Sequence, residues 1–288
     1  MSAGTYLVVG HITLDVAGSG YRLGGTATYA ALTASRLGLA VRVLTSSGQP
    51  GLAAFSELGV PAEVHALPAA DTTVFHNSYV SSGRRQRLLS VASRLCPRDL
   101  PHGWLGTDVV HLGPLAQEVD EGFLLLTPAG STLGVTPQGW LRSWDANGAV
   151  SPCRWEPDPE LLARVSAIVL SVEDVGGDLS LIDYYARYCP ITVITEGYRG
   201  CTLRLSGESV SLATRPAMEV DPTGAGDVFA AAFLIHLQET GDPLAAAKFA
   251  NIAGSFSVEG VGAGAIASRA TVEGWLAANP GFPWFSVR

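Results

Sequence analysis

The sequence predicts a three-layer α/β/α domain with a mainly parallel central sheet and a small β-strand lid, and three observations point there. Short, continuous apolar runs recur, the first of them in a strand, helix, strand order repeating at roughly 30 residues, as buried parallel strands joined by crossover helices do. Two stretches break that rhythm and alternate polar with apolar residues, the pattern of strands with one wet face. Finally, 288 residues with 47% hydrophobic and 15% charged content can bury a large core without a metal or disulfide staple, which excludes wholesale disorder.

The first strand is expected at Tyr6 to Val9, ending in Gly10. A helix pattern follows from about Thr26 to Leu37, closed by Gly38, and then a strand at Val41 to Thr45. Val109 to Leu112, Leu133 to Thr136, Ala167 to Ser171 and Thr192 to Thr195 read as further buried strands. The exceptions are Asp15 to Leu23 and Thr72 to Val91. In the second, Val74, His76, Ser78 and Val80 alternate with Thr73, Phe75, Asn77 and Tyr79, so both stretches are expected outside the main sheet, as a lid over a site or as an edge hairpin. Without an internal repeat, low-complexity tract or linker, residues 1–288 are expected to form a single domain.

Several functions are excluded on composition. No apolar run reaches the roughly 18 to 20 residues that span a bilayer, and Met1 to Gly10 lacks the basic flank of a signal peptide, so the expected location is the cytoplasm. Cys96, Cys153, Cys189 and Cys201 lie far apart with no CxxC pair, which suggests neither a zinc site nor a disulfide framework. A net charge of −8, with Lys248 the one lysine, offers no basic stripe for nucleic acid. Arg84, Arg85 and Arg87 form a short cationic cluster, read as the solvated edge of a hairpin or an anion contact.

The chemistry is concentrated between Glu219 and Gln238, where a glycine-rich turn enters an apolar helix. Gly224, Ala225 and Gly226 leave backbone amides uncovered at a helix start, and Asp227 falls in its first turn. Amides that hold negative charge beside a carboxylate that accepts a proton suit phosphoryl transfer to a hydroxyl. The plainer reading is that Asp221, Thr223 and Asp227 cap a buried helix. His111, Gln138 and Arg142 follow predicted strands and should face the same end of the sheet, His111 as a ligand or as a buried, hydrogen-bonded residue. Gly262 to Ala267 matches GxGxxA, but no room remains after it for the rest of a dinucleotide fold.

The run Asp221, Pro222, Thr223, Gly224, Ala225, Gly226, Asp227 resembles a signature of the PfkB, or ribokinase-like, carbohydrate kinases. Gly24 and Gly25, entering a helix that ends Leu37, Gly38, resemble that family's other signature, with Gly10 and Asp15 ahead of it. The resemblance extends over essentially the whole chain. It implies the ribokinase-like fold and ATP-dependent transfer of the γ-phosphate to a hydroxyl of a small sugar or polyol, with Asp227 as general base and Gly224, Ala225 and Gly226 as anion hole. It further implies acceptor binding by Asp15, Gly24 and Gly25, with Tyr29 where the family has Asn, and nucleotide binding by Thr195, Gly197, Gly200, Thr223, Asn251 and Gly264. Mg2+ near Asp174 through water, a monovalent cation such as K+ near Asp221, and a monomer or a homodimer formed through the lid complete the expectation. The segments Thr72 to Phe75 and Arg87 to Ser90 are similar to plant-type myo-inositol kinases within the family. A nucleoside kinase, with an aromatic slot from Phe75, Tyr79 and Tyr29, and a non-catalytic sugar-binding protein are the alternatives.

Overall fold

The computed structural model describes residues 4–80, 83–126 and 128–285. Ser81 and Ser82, which fall in the lid stretch, Met1 to Ala3 and the side chains of Tyr79, Val80 and Arg84 lie outside the described residues. In chain order the first half contains β1 (Thr5–Val9), β2 (Thr13–Ala17), β3 (Gly20–Gly24), α1 (Thr26–Arg36), β4 (Ala40–Ser47), α2 (Gln49–Glu57), β5 (Ala62–Pro68), β6 (Thr73–Val80), β7 (Gly83–Ser90), β8 (Val109–Leu112) and β9 (Thr132–Val135). The second half contains β10 (Arg142–Trp144), β11 (Val150–Pro152), α3 (Pro159–Leu162), β12 (Ala167–Ser171), α4 (Leu179–Tyr188), β13 (Ile191–Thr195), β14 (Cys201–Leu205), β15 (Glu208–Leu212), α5 (Ala225–Thr240), α6 (Pro243–Ser257) and α7 (Arg269–Ala278).

Nine strands form one sheet in the order β15-β14-β13-β12-β9-β8-β1-β4-β5. From β5 to β13 every pairing is parallel, and β14 and β15 add an antiparallel edge. The expected strands are therefore all present, and β5, β14 and β15 are additions. Both faces of the sheet are covered, which is why its strands read as continuous apolar runs. In β1, Tyr6 and Val8 join the core beneath α1, α5 and α6, whereas Leu7 and Val9 join the opposite core with Leu181, Ile182 and Tyr185 of α4, the alternation that a pleated strand imposes.

Helix α5 is apolar nearly all round because it is buried nearly all round, from Val228 to Ile235. It reaches the sheet closely at β9, where a Cβ on Gly134 would stand 2.1 Å from Cδ1 of Leu234. Gly134→Ala is therefore expected to lower unfolding free energy by about 1 to 3 kcal/mol, the usual cost of overpacking a core. In a Leu234→Ala background the same change should cost little. A double-mutant cycle from urea melts measures the coupling, and additive losses would show that this contact does not set the spacing.

The two exceptional stretches leave the central sheet, as expected, and form a second sheet in the order β3-β2-β6-β7. β2 and β3 make one antiparallel hairpin, β6 and β7 another, and β2 joins β6 in parallel. The four cysteines are free, and among the described residues no helix is long and apolar enough to cross a membrane.

Candidate active site

The C-terminal ends of the parallel strands lie along one edge of the sheet, and the chain delivers its polar residues there: Gln138 after β9, Asp174 after β12, and the Glu196 to Gly200 turn after β13. The start of α5 enters the same region. A helix start leaves the amides of Gly226 and Asp227 without an intrahelical acceptor, whereas the Ala225 N–H donates to the Pro222 carbonyl at 3.2 Å. The anion hole expected from Gly224, Ala225 and Gly226 is thus better drawn from Gly226 and Asp227, with Gly224 as the bend. Gly224 has φ 79°, and a Cβ there would stand 2.4 Å from the ring of Tyr29. Only glycine satisfies both demands.

Asp227 is half-buried in the first turn of α5. Its Oδ1 accepts a hydrogen bond from the Thr26 hydroxyl at 2.7 Å. Burial pushes its pKa up from 3.8 to about 6, the Thr26 hydrogen bond and the Arg142 charge oppose the shift, and the nearby Asp174 charge adds to it. A carboxylate with a pKa near neutrality can both take and return a proton. Thr26 opens α1, so the Gly24, Gly25 turn places one helix start against another.

The lid supplies the opposite wall. Asp15 on β2 pairs with Phe75 on β6 in the parallel register, and its Oδ1 accepts from Nδ2 of Asn77 at 3.1 Å. Gln86 on β7 donates to Oδ1 of Asn77 at 2.9 Å. Gly24 is needed beside this row because a Cβ there would stand 2.6 Å from Oδ2 of Asp15. Asn77 and Gln86 are site residues that the alternation pattern contains but does not single out. Arg142 crosses between the walls, stacked over the Phe75 ring at 5.5 Å and near enough to Asp227 to act on its charge.

Asp174 lies at the same edge. Its Oδ1 accepts from Nε2 of Gln138 at 2.8 Å, and its Oδ2 from the Ser171 N–H and hydroxyl at 2.8 and 2.9 Å. Gln138 therefore orients Asp174 instead of pointing its amide at an acceptor. Among the described residues no group of three or more His, Cys, Asp or Glu could hold a metal ion. Magnesium keeps most of its waters and takes the rest of its shell from substrate phosphates, so it does not require such a group.

Three of the expected site residues, His111, Tyr29 and Asn251, are buried. His111 is fully buried on β8, between the Tyr6 hydroxyl at 2.7 Å on Nδ1 and the Thr136 hydroxyl at 3.0 Å on Nε2. Burial pushes its pKa down to about 3 and holds it neutral, as the reading of a buried, hydrogen-bonded residue expects. Tyr29 is 2% exposed and forms the floor beneath Gly224 instead of facing an acceptor. Burial first, and the Asp227, Asp221 and Asp15 charges after it, raise its pKa, which sets three carboxylates around one ring. Asn251 is buried on α6, where its amide donates to the Ala213 carbonyl at 3.2 Å and so ties β15 to that helix instead of reaching a base.

The other expected nucleotide residues lie in or beside turns. Thr195 ends β13, the Glu196 N–H donates to the Gly200 carbonyl at 2.8 Å, and Gly197 and Gly200 turn the chain with positive φ. Thr223 stands half-buried before the α5 turn, its N–H donating to Oδ1 of Asp221 at 3.0 Å. Gly264 is exposed in the single turn Gly262–Ala265. Burial tends to raise the pKa of Asp221, but the hydrogen bonds from Thr223 and Gly262 and the charge of Arg22 hold it below the usual value. Arg85 is exposed, and Arg87 donates to the Asn147 carbonyl at 2.6 Å, so the cationic cluster belongs to the outer edge of the lid.

Comparison with known proteins bears on the family and the fold. Residues 185–270, which include the glycine turn, match the pfkB family carbohydrate kinases. The chain is 31% identical over 283 residues to an inositol 3-kinase of Oryza sativa subsp. japonica, covering 89% of this chain and 68% of that protein. It is 31% identical over 210 residues to an inositol 3-kinase of Zea mays, covering 68% of this chain and 53% of that one, so it spans about half the length of the maize relative. A pyrophosphate-dependent kinase in the ribokinase family, solved with a pyrophosphate analog and myo-inositol, superposes with a TM-score of 0.78 at 23% identity, covering 93% of this chain and 99% of that one. The superposition shows a shared ribokinase fold, and the length and identity of the rice match show that this chain belongs to the pfkB family of carbohydrate kinases.

Proposed function

We propose that the protein transfers the γ-phosphate of ATP to a hydroxyl of a small polyhydroxylated acceptor, a cyclic polyol such as myo-inositol ahead of a furanose. The observation that carries this reading is the facing of Asp227, with its raised pKa at the start of α5, by the Gln86, Asn77, Asp15 row of the lid. A row of two amides ending in a carboxylate offers donors and acceptors to a ring that presents hydroxyls as both. The two inositol 3-kinases favour the polyol.

In this reading the acceptor hydroxyl is held between Asp15 and Asp227. Asp227 takes its proton as the oxygen attacks the γ-phosphorus, and ADP departs toward the Thr195 to Gly200 turn. The amides of Gly226 and Asp227 hold the charge that spreads over the transferred group. Magnesium, brought with the nucleotide and touching Asp174 through water, would neutralise phosphate charge. The lid is also the surface proposed for any homodimer, and the cytoplasm the proposed location.

The nucleoside alternative needs an aromatic slot for a base. Of its three members, Tyr29 is buried and Phe75 is buried beneath Arg142, while the Tyr79 side chain lies outside the described residues. Burial of both rings favours the polyol.

The test is an acceptor panel of myo-inositol, other cyclitols, hexoses, ribose and nucleosides, assayed by formation of the phosphorylated acceptor. Because the similar structure is of a pyrophosphate-dependent kinase, pyrophosphate is run beside ATP as donor. The expected result is ATP-driven turnover with kcat/KM highest for a cyclitol. Nucleosides far ahead of every polyol would install the alternative, and pyrophosphate ahead of ATP would reassign the donor.

A further inference from the structure

The family resemblance implies a monovalent cation beside Asp221, and the residues here do not fit one. A dehydrated monovalent ion needs a shell of oxygen acceptors, but the acceptors at this position are already served by donors. Oδ2 of Asp221 accepts from Nη1 of Arg22 at 2.6 Å and from the Gly262 N–H at 3.0 Å, and Oδ1 accepts from the Thr223 N–H at 3.0 Å. In the same turn, Arg36 of α1 donates to the carbonyls of Gly264 and Ile266. Two guanidinium groups thus occupy the acceptors that an ion would require.

We propose that Arg22 takes the place of a monovalent ion at this position: its guanidinium neutralises Asp221 and holds the Gly262–Ala265 turn against the α5 turn. Arg22 stands on β3, so the positive charge belongs to the lid and moves with it. An ion arrives from solution and leaves no link between elements. A side chain instead couples the donor side of the site to lid position, because parting the lid from the domain would leave the Asp221 carboxylate, 10% exposed, without its counter-charge. A half-exposed arginine in a simple pair contributes little; this one shares a nearly buried carboxylate with two backbone amides, and charge-assisted hydrogen bonds of that kind are the strong ones. Only the consequence for ATP rests on the kinase reading.

Amide hydrogen exchange over residues 258–266 tests the proposal without nucleotide or acceptor, since the Gly262 N–H is itself one of the donors to Asp221. At matched ionic strength, the unaltered protein should exchange at the same rate, within twofold, in potassium, lithium and choline chloride. Arg22→Met should speed exchange about tenfold, the scale of one charge-assisted hydrogen bond, and Arg22→Lys should recover part of the loss. Protection specific to potassium in the unaltered protein would overturn the proposal, as would Arg22→Met exchanging like the unaltered protein. Loosening that Arg22→Lys does not reduce would assign the effect to packing and overturn the claim for charge. Should Arg22→Met fail to fold, the salt comparison on the unaltered protein decides alone. Once loosening is established, Arg22→Met should also weaken ATP binding by calorimetry; a failure of that arm with the exchange arms intact falls on the kinase reading.

Discussion

Asp227→Asn is expected to lower kcat by about 100-fold to 10,000-fold, the range that general-base assistance contributes, while the Kd for ATP changes little. The two roles open to Asp227, base and helix cap, separate in this variant because asparagine still accepts from Thr26 and still suits a helix start. Protonation gives a second reading of the same group. With the pKa raised to about 6, kcat should fall as pH drops through 6 in the unaltered protein. The stability effect has the opposite sense: because the folded pKa lies above the unfolded one, the native state binds the extra proton between about pH 4 and 6. Stability from this group is therefore present at low pH and lost as pH rises through 6. Asn removes that loss, so the variant should be more stable than its parent at pH 7.5 by about 2 kcal/mol, after allowing for solvent screening of a half-buried group, with the difference closing near pH 4. Calorimetry at the two pH values and steady-state kinetics check both halves. Near-normal kcat, or a variant that melts earlier at pH 7.5, would return Asp227 to the role of cap.

The other large effect is expected at Gly226. A Cβ there meets nothing within 4 Å and its φ is not left-handed, so Gly226→Val should fold with stability little changed, glycine being the poorer helix former of the two by about 0.3 kcal/mol. The valine side chain would stand in the open space from which a phosphate approaches the amides. ATP at 100 times its Kd should stabilise the unaltered protein by about 2.7 kcal/mol, and the folded variant should show almost none of that. Gly224→Val makes the contrasting control, since it must displace the Tyr29 ring and take a left-handed φ, and it should lose the fold along with ligand binding. An unchanged ATP shift in Gly226→Val would remove the phosphate from this turn.

What could be read from the sequence followed from how strongly each residue is constrained by its own backbone. The Asp221 to Asp227 run was legible because a left-handed glycine, a helix start and an acidic first turn leave few alternatives. The lid was legible because alternation survives only where one face of a strand is wet. His111 was left open between ligand and buried residue, and Asn251 was expected at the nucleotide, because lying at a strand end or on a helix does not give the direction of a side chain; both point inward. The same holds for Tyr29. Asn77 and Gln86 escaped notice because cross-strand partners depend on register, and Arg22 because its carboxylate is 199 positions away. The β14 and β15 hairpin did leave a signal: Ser206 and Gly207, both with positive φ, join two short strands, the two-residue turn that favours a tight hairpin. β5 left less, since an edge strand with Glu63 and His65 does not read as a continuous apolar run.

The parallel joint between β2 and β6 also bears on the order of assembly. Thr13 pairs with Thr73 and Asp15 with Phe75, and the chain between them forms β3, α1, β4, α2 and β5, so this contact closes a loop of about 60 residues, while the lid buries less than the central strands do, β3 being exposed over Gly20 to Arg22. The lid should therefore zip last and open first, as a cooperative unit of lower stability than the central sheet. Opening of the lid as one unit would withdraw Asp15, Asn77 and Arg22 together, releasing acceptor and donor sides in one event. Turnover in such an enzyme would be paced by a late-folding piece of its own structure, with product escape sharing a barrier with the first step of unfolding.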